Sequence, residues 1–394
     1  TTANVVVGTT MILQSNLITP SGVDGPLKMK FDTAAVSDMA FNPSPAQLIS
    51  SITEIADTLP PRITNVTLKL SDGVLDITFD EFIDQTPALT RIDLSKIDIA
   101  DVTGGNHVPL DGSGVGSTTT VIASGTGRDG VSVVGDGFVL RIQLDEDQRV
   151  AALLLSETEG GDGSPLRLDM AANAVFDMAN NGVETTMDYP ILSFRDLVAP
   201  SLISASFDYS TGALVLTADE YLDVADVEHS KVRLKNMWLS NAGKLTSIGG
   251  GNYNVNPDDG KEVNLLGATV TSTSDSPSLT ITLTEYQRSR LQYMSGTPGG
   301  DGAPIVLDVL KESLYDMANL TIPNTPNFAV TEIADVVPPT VIDVDIHVGT
   351  GVLDITMSEH IDAATLDMTK MFLSNEMIWT MPLSNTQGIT ETNG

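Results

Sequence analysis

The sequence has no cysteine. Disulfides are therefore excluded, and stability must come from packing or bound ions, as in prokaryotic surface proteins rather than small secreted eukaryotic domains. Basic residues are scarce as well: 20 Lys plus Arg stand against 52 Asp plus Glu in 394 residues, a formal charge of −32. Such a polyanion repels phosphate, and no basic stripe interrupts it, so a nucleic-acid partner is excluded. Long apolar runs are missing too. The longest, Val150 to Leu155, is far too short for a bilayer span, and neither a transmembrane segment nor a signal peptide is visible. Hydrophobic residues make up 41% and charged residues 18% of the chain, enough apolar matter for two or three folded domains. A charge this negative suits a salty or calcium-rich exterior, so the expected location is extracellular, at the cell surface. Residue 1 is Thr rather than Met, as expected of a processed or partial product.

What the sequence does have is a repeat of 139 residues. Gly73-Val-Leu-Asp-Ile-Thr-Phe-Asp-Glu-Phe-Ile-Asp84 returns as Gly212-Ala-Leu-Val-Leu-Thr-Ala-Asp-Glu-Tyr-Leu-Asp223 and as Gly351-Val-Leu-Asp-Ile-Thr-Met-Ser-Glu-His-Ile-Asp362. Asp-Met-Ala recurs at Asp38, Asp177 and Asp316, and linker prolines recur at Pro61, Pro200 and Pro339, all in the same register. Residues 1–59 match the last part of a repeat: Asp24-Gly25-Pro26 corresponds to Asp162-Gly-Ser-Pro165, and Thr53–Asp57 to Thr331–Asp335. Residues 338–394 match only the beginning of one. The expected domains are thus a C-terminal part (1–59), two complete repeats (60–198 and 199–337) and an N-terminal part (338–394). Half a sandwich cannot close its own core. Either the chain is a window on a longer array, or the terminal halves of successive chains complete one another.

Within each repeat the period is that of strands. Leu75, Ile77 and Phe79 alternate with Asp76, Thr78 and Asp80, and the alternation recurs at Leu214, Leu216, Ala218 and at Leu353, Ile355, Met357. Ile63–Leu70 precedes it through the turn Ser71-Asp72-Gly73, which predicts an antiparallel hairpin. Further strands are predicted at 118–123, 131–134, 138–144, 166–170 and 185–194. Short helices are predicted from Asp145-Glu-Asp-Gln-Arg149 and Thr284-Glu-Tyr-Gln-Arg288, each opening on an N-cap residue. Seven or so short strands with frequent turns give the fold class: all-β, tandem immunoglobulin-like β-sandwich domains.

The proline-marked linker, the Gly-x-Leu-x-Ile/Leu-Thr-x-x-Glu-x-Ile/Leu-Asp stretch and the late Asp-Met-Ala together resemble the tandem immunoglobulin-like repeats of microbial surface-layer, sheath, filament and adhesin proteins. The resemblance spans all 394 residues. It implies spacers, lattice units or fibre subunits, many stiffened by calcium at domain junctions. The Asp-Met-Ala-Asn stretch departs from the usual pattern in lacking a Gly before its Asn.

Catalytic patterns are absent or misplaced. His107, His229, His347 and His360 show no metal-ligand spacing, and His360 stands where Phe82 and Tyr221 stand in the other repeats. There is no Gly-x-Ser-x-Gly elbow and no Walker loop. Gly125-Thr-Gly-Arg-Asp-Gly130 satisfies Gly-x-Gly-x-x-Gly, but a strand rather than a helix is predicted after it, so it reads as a loop. Glu81 and Asp84 have the residue types of a glycosidase pair, yet they recur in every complete repeat. No enzyme is expected.

A cation site fits the topology better. The second hairpin strand returns Glu81 and Asp84 to the start of the first, beside Asp57, and the Asp-Met-Ala turn brings Asp177 to the same end. Asp57, Glu81, Asp84 and Asp177 form the first expected metal set; Asp196, Glu220, Asp223 and Asp316 form the second. Like charges about 5 Å apart at an effective dielectric near 20 repel by about 3 kcal/mol per pair, and Ca²⁺, which takes oxygen ligands, converts that repulsion into a clamp. The alternative is that these acids cap turns or face solvent.

The sequons Asn65-Val-Thr67 and Asn319-Leu-Thr321 do not recur in register, and glycans remain candidate partners with Thr- and Ser-linked sugars. The loops 104–130 and 241–278 differ between repeats, which marks them for contacts between subunits. The expected function is a non-enzymatic structural protein of the cell exterior: the repeat unit of a filament, sheath or lattice, partnered by copies of itself through strand complementation or edge contacts. The alternative is the stalk of a cell-surface adhesin.

Overall fold

Alternating apolar residues of one strand pair become a buried face. Strands β3 (Ile63–Lys69) and β4 (Val74–Ile83) form the expected antiparallel hairpin. Leu75, Ile77 and Phe79 are buried while Asp76 and Thr78 between them are half-buried and Asp80 is exposed. Gly73 closes the turn at φ 66°, a left-handed conformation that favours glycine, and Gly212 and Gly351 repeat it at φ 72°. A computed structural model describes residues 28–49, 52–53, 55–85, 91–101, 105–110, 120–122, 136–225, 231–241, 243–256, 260–374 and 380–382. The predicted strand at 131–134, the Gly125–Gly130 loop and His229 lie outside the described residues. The chain forms two compact units, Thr1–Pro200 with Tyr315–Leu320, and Ser201–Leu314 with Thr321–Gly394.

The earliest described strands of the first unit form a two-stranded sheet, β1 (Met29–Phe31) on β2 (Gln47–Ile49). After the β3–β4 hairpin come β5 (Ile97–Ala100), β6 (His107–Pro109), β7 (Thr120–Ile122), β8 (Gly137–Gln143), helix α1 (Glu146–Leu154), β9 (Arg167–Met170), β10 (Thr186–Pro190) and β11 (Leu192–Phe194). They make two sheets, ordered β11-β3-β4-β8-β7 and β10-β9-β5-β6. Val66, Leu68, Leu75, Ile77, Leu140 and Ile142 of one sheet share a core with Ile97, Ile99, Val108, Leu168 and Met170 of the other. Each fully buried side chain of this kind contributes about 1.5–3 kcal/mol.

Residues 185–194 were expected as one strand, and the structure divides them. β10 pairs antiparallel with β9, whereas β11 pairs parallel with β3 in the other sheet. Pro190 is the reason: it has no amide hydrogen to continue the ladder. The chain thus crosses between the two sheets before it leaves the sandwich.

The second unit repeats this plan. It contains β12 (Leu202–Asp208), β13 (Ala213–Leu222), β14 (Met237–Ser240), β15 (Leu245–Gly249), β16 (Asn252–Val255), β17 (Glu262–Asn264), β18 (Thr269–Val270), β19 (Ser276–Thr282), α2 (Glu285–Tyr293), β20 (Val306–Val309), β21 (Thr325–Ala329) and β22 (Thr331–Ile333). Its sheets run β18-β19-β13-β12-β22 and β17-β14-β20-β21, and β22 pairs parallel with β12 as β11 does with β3. The hairpin of β23 (Val341–His347) and β24 (Val352–Met357) and the pair of β25 (Phe372–Ser374) and β26 (Thr380–Pro382) follow. Both units are all-β immunoglobulin-like sandwiches, and each carries one short α-helix, α1 or α2, among its described strands. Among the described residues no helix is long and apolar enough to cross a membrane.

The helices start where predicted, and for the expected reason. Asp145 accepts a bond from the Gln148 amide and Thr284 one from the Gln287 amide, and each glutamine Oε1 accepts in turn from the backbone amide of the cap residue. Thr284→Ala removes the side-chain half of this reciprocal pair. It lowers the stability of the second unit by about 1 kcal/mol, measured by urea unfolding, while Thr284→Ser leaves it within a few tenths.

Candidate metal centre

Three of the four acids in the first expected set come together. Asp57, Glu81 and Asp177 each present a carboxylate oxygen, and these oxygens lie within 4.8 Å of one another. All three belong to the first unit.

Each is delivered by local structure. Glu81 continues the inward phase of β4, beyond a register shift against β8 that falls between Thr78 and Ile83. Asp177 stands at the head of a tight loop. Its amide donates to the Asn181 carbonyl (3.0 Å), its Oδ1 accepts from the Asn181 amide (2.7 Å), and its Oδ2 accepts from Asn181 Nδ2 (2.9 Å). Asn180 takes φ 71°, as Asn319 takes 65° in the corresponding loop, so Asn itself fills the left-handed position where the resemblance led one to look for Gly. The loop docks on the end of β4 through an Ile83–Asp177 bridge and an Asp84 amide that donates to the Phe176 carbonyl (2.9 Å). Asn181 Nδ2 also donates to the Asp57 carbonyl (3.3 Å), which ties in the third acid. Asp57 caps its own turn by accepting from the Leu59 amide (3.0 Å), and Asp196 and Asp335 do the same to Val198 and Val337. Turn capping and clustering are thus combined in the same carboxylates, which retain lone pairs beyond those bonds.

Asp84 does not join the cluster. Its Oδ2 lies 2.9 Å from Arg91 Nε. The reason is parity: residues three apart on a strand point to opposite faces, so Glu81 and Asp84 diverge.

The electrostatics follow from the crowding. Burial pushes the Glu81 carboxyl up to about 7, and the negative charges of Asp177, Asp57 and Asp80 act in the same direction. Among the described residues none of the three clustered acids is ion-paired.

The residues of the second expected set come from both units. Asp196 and Asp316 belong to the first unit, Glu220 and Asp223 to the second. Asp196 is buried against Arg149, whose guanidinium reaches its Oδ2 at 2.7 Å, holds Glu146 bidentately at 2.6 and 2.7 Å, and donates to the Leu70 carbonyl at 2.9 Å. Asp316 accepts the Leu320 amide at Oδ1 (2.7 Å), and burial pushes it up to about 6, with Asp196 adding repulsion. Glu220 is buried in β13, and Asp223 lies 3.8 Å from Lys231.

Arg149 was not anticipated as part of this chemistry. Its counterpart Arg288 contacts Glu285 (2.8 Å), Asp335 (3.3 Å) and Glu359 (2.9 Å), all in the second unit. Asp335 and Glu359 correspond in the repeat to Asp57 and Glu81. The readable signal was the Glu-x-x-Arg pattern of Glu146–Arg149 and Glu285–Arg288, placed 139 positions apart. Residues 1–27, which correspond to the helix-bearing stretch, contain neither Arg nor Lys. A guanidinium therefore neutralises the acids at two places, and no such residue is available from that stretch for Asp57, Glu81 and Asp177.

Among the described residues the histidines do not gather. His107 is exposed on β6, His347 lies 3.2 Å from Asp354, and His360 donates its amide to Glu285 Oε1 (2.9 Å), which also lies 3.3 Å from its Nδ1.

No protein-family model matches the sequence, and no curated protein is similar to it. Among solved structures, the crystal structure of the N-terminal four Ig domains of Dscam1 isoform 6.44 aligns with 76% of this chain at 10% identity and a TM-score of 0.16. The chain spans 58% of the length of that one.

Proposed function

We propose that the protein is a non-enzymatic structural protein of the cell exterior, of the kind found in microbial surface filaments, sheaths and lattices, with Ca²⁺ held by Asp57, Glu81 and Asp177. The observation that carries this reading is the carboxylate triad, which no described residue pairs with a positive charge. A hard cation with oxygen ligands relieves three crowded negative charges at once, and in doing so ties the segment before β3 to β4 and to the Asn181 loop. The same sandwich plan and the same acidic positions recur along the sequence, which suits a building block better than a single active site. The domain limits 1–59, 60–198, 199–337 and 338–394 belong to this proposal.

Electron microscopy of the purified protein tests the reading. With Ca²⁺ present the expected result is an ordered filament or sheet whose spacing is commensurate with one repeat, weakened by EDTA. Monodisperse particles under both conditions overturn it.

A further inference from the structure

The second unit contains a cavity of about 400 Å³ whose lining includes Trp238, Lys244, Glu262, Asn264, Tyr286 and Arg290. That volume lies within the range of small-molecule sites, about 300–1,000 Å³. We propose that it binds a saccharide, with a sugar ring stacked on Trp238 and Tyr286 and its hydroxyls bonded to Arg290, Asn264 and the Lys244–Glu262 pair.

The first argument is that the fold does not require these residues. The first unit builds the same frame: β5 pairs with β6 and β9 as β14 pairs with β17 and β20. Gln148 Nε2 donates to the Pro109 carbonyl at 2.8 Å, and Gln287 Nε2 donates to the Asn264 carbonyl at 2.8 Å. On that shared frame Asp98 becomes Trp238, His107 becomes Glu262, Asp147 becomes Tyr286 and Ala151 becomes Arg290. A sandwich that folds with Asp, His, Asp and Ala at these places gains no evident packing advantage from two aromatics and a new ion pair. Trp238 is moreover one of only two tryptophans in the chain.

The second argument is the buried ion pair. Lys244 Nζ bonds Glu262 Oε1, and the two side chains are only 7% and 8% exposed. Desolvating two charges is costly unless geometry or function compensates. Lys244 is itself supplied by an addition: 21 residues separate β14 from β17, where six separate β5 from β6, and the extra length includes the β15–β16 hairpin. Its amide is fixed by a 2.6 Å bond to Asp308 Oδ2, and Asp308 is fully buried. The pair is therefore held in place.

The third argument is the chemistry of the lining. Arg290 donates to the Gly260 carbonyl at 2.9 Å and stands 5.9 Å from the Tyr286 ring centroid, so guanidinium and ring form one wall. Trp238 is half-buried and Tyr286 is 53% exposed, which leaves aromatic surface open to a ligand. Lys244 and Glu262 cancel in charge. What remains is aromatic faces beside planar donors and acceptors, which suits a polyhydroxylated ring with one apolar face. The inference is independent of the calcium reading.

The test uses the full chain with Trp379→Phe, which leaves Trp238 as the one tryptophan, in EDTA so that the cation centre plays no part. An array of neutral and uronic-acid-containing oligosaccharides is screened, and binders are titrated against Trp238 fluorescence. Saturable binding is expected. Neutral binders alone place the recognition in stacking and hydroxyl bonding; uronic-acid binders add the Arg290 charge. Trp238→Asp and Arg290→Ala, both read by calorimetric titration with the same oligosaccharides since the first removes the fluorophore, install the residues of the first unit and should each weaken binding about tenfold or more at unchanged melting temperature. Absence of binding across the array, or binding that both variants leave intact, overturns the proposal.

Discussion

Calcium is expected to raise the melting temperature of the first unit by on the order of 10 °C near pH 7.5, and EDTA to abolish the gain. At a free-ion concentration about a thousand times Kd, linkage supplies about 4 kcal/mol, and a transition of this size moves by about 2–4 °C per kcal/mol. The proton linkage gives the effect a distinctive pH dependence. Glu81 has its carboxyl raised from 4.5 to about 7, so the folded state holds this proton more tightly than the unfolded state does. The stability it contributes without metal is fully present below about 4.5 and is lost as pH rises through about 7. Asp316, raised from 3.8 to about 6, acts in the same sense over a lower window. The metal-free protein therefore loses stability on going from mildly acidic to neutral pH, and calcium restores it only where Glu81 gives up its proton. Near pH 5 the calcium increment should nearly vanish. Scanning calorimetry across this range, with calcium or EDTA, reads both trends; identical curves with and without the ion contradict them.

Arg149→Leu should destabilise the first unit by about 3–5 kcal/mol, the usual result of removing one partner from a buried ion pair. The side chain reaches Asp196, Glu146 and the Leu70 carbonyl at once, and Asp196 is only 4% exposed. Leucine fills part of the volume but leaves Asp196 buried without its counter-charge, next to the already strained proton equilibrium of Asp316. Arg149→Lys recovers only part of the loss, because an ammonium cannot hold Glu146 bidentately while reaching the other two acceptors. The corresponding Thr284→Ala change at the other helix is several times milder. Chemical denaturation of the variants gives the ranking, and an Arg149→Leu protein as stable as its parent removes the guanidinium from the account.

Much of this fold was legible because its determinants are local. The β3–β4 hairpin follows from the alternation of Leu75, Ile77 and Phe79 and from Gly73, and the helices follow from Asp145 and Thr284 placed three residues before a glutamine. What escaped prediction depends on longer-range pairing. β5 has only four residues, Ile97–Ala100, too few for a period to declare itself, and it exists because β9 and β6 flank it. The division at Pro190 needed knowledge of two sheets to be read as a crossing rather than a blemish.

The site shows the same division. Topology brought Asp57, Glu81 and Asp177 together on paper, and the structure gathers those three. Asp84 was admitted through its neighbourhood in sequence, although strand parity already turned it away from Glu81. Arg149 and Arg288 were visible only as helix residues, since nothing local shows which carboxylates a long guanidinium side chain will reach. The saccharide cavity depends on comparing two copies of one frame, which alignment by repeat permits and a single domain would not.

The calcium centre is tested most directly by calorimetric titration of the full chain with Ca²⁺, in buffers of different ionisation enthalpy near neutral pH, alongside Glu81→Gln. Saturable binding with release of a proton, and loss of that release in the variant, is the predicted result. No binding heat, or binding whose proton count the variant leaves unchanged, contradicts the assignment of Asp57, Glu81 and Asp177 as the ion's ligands.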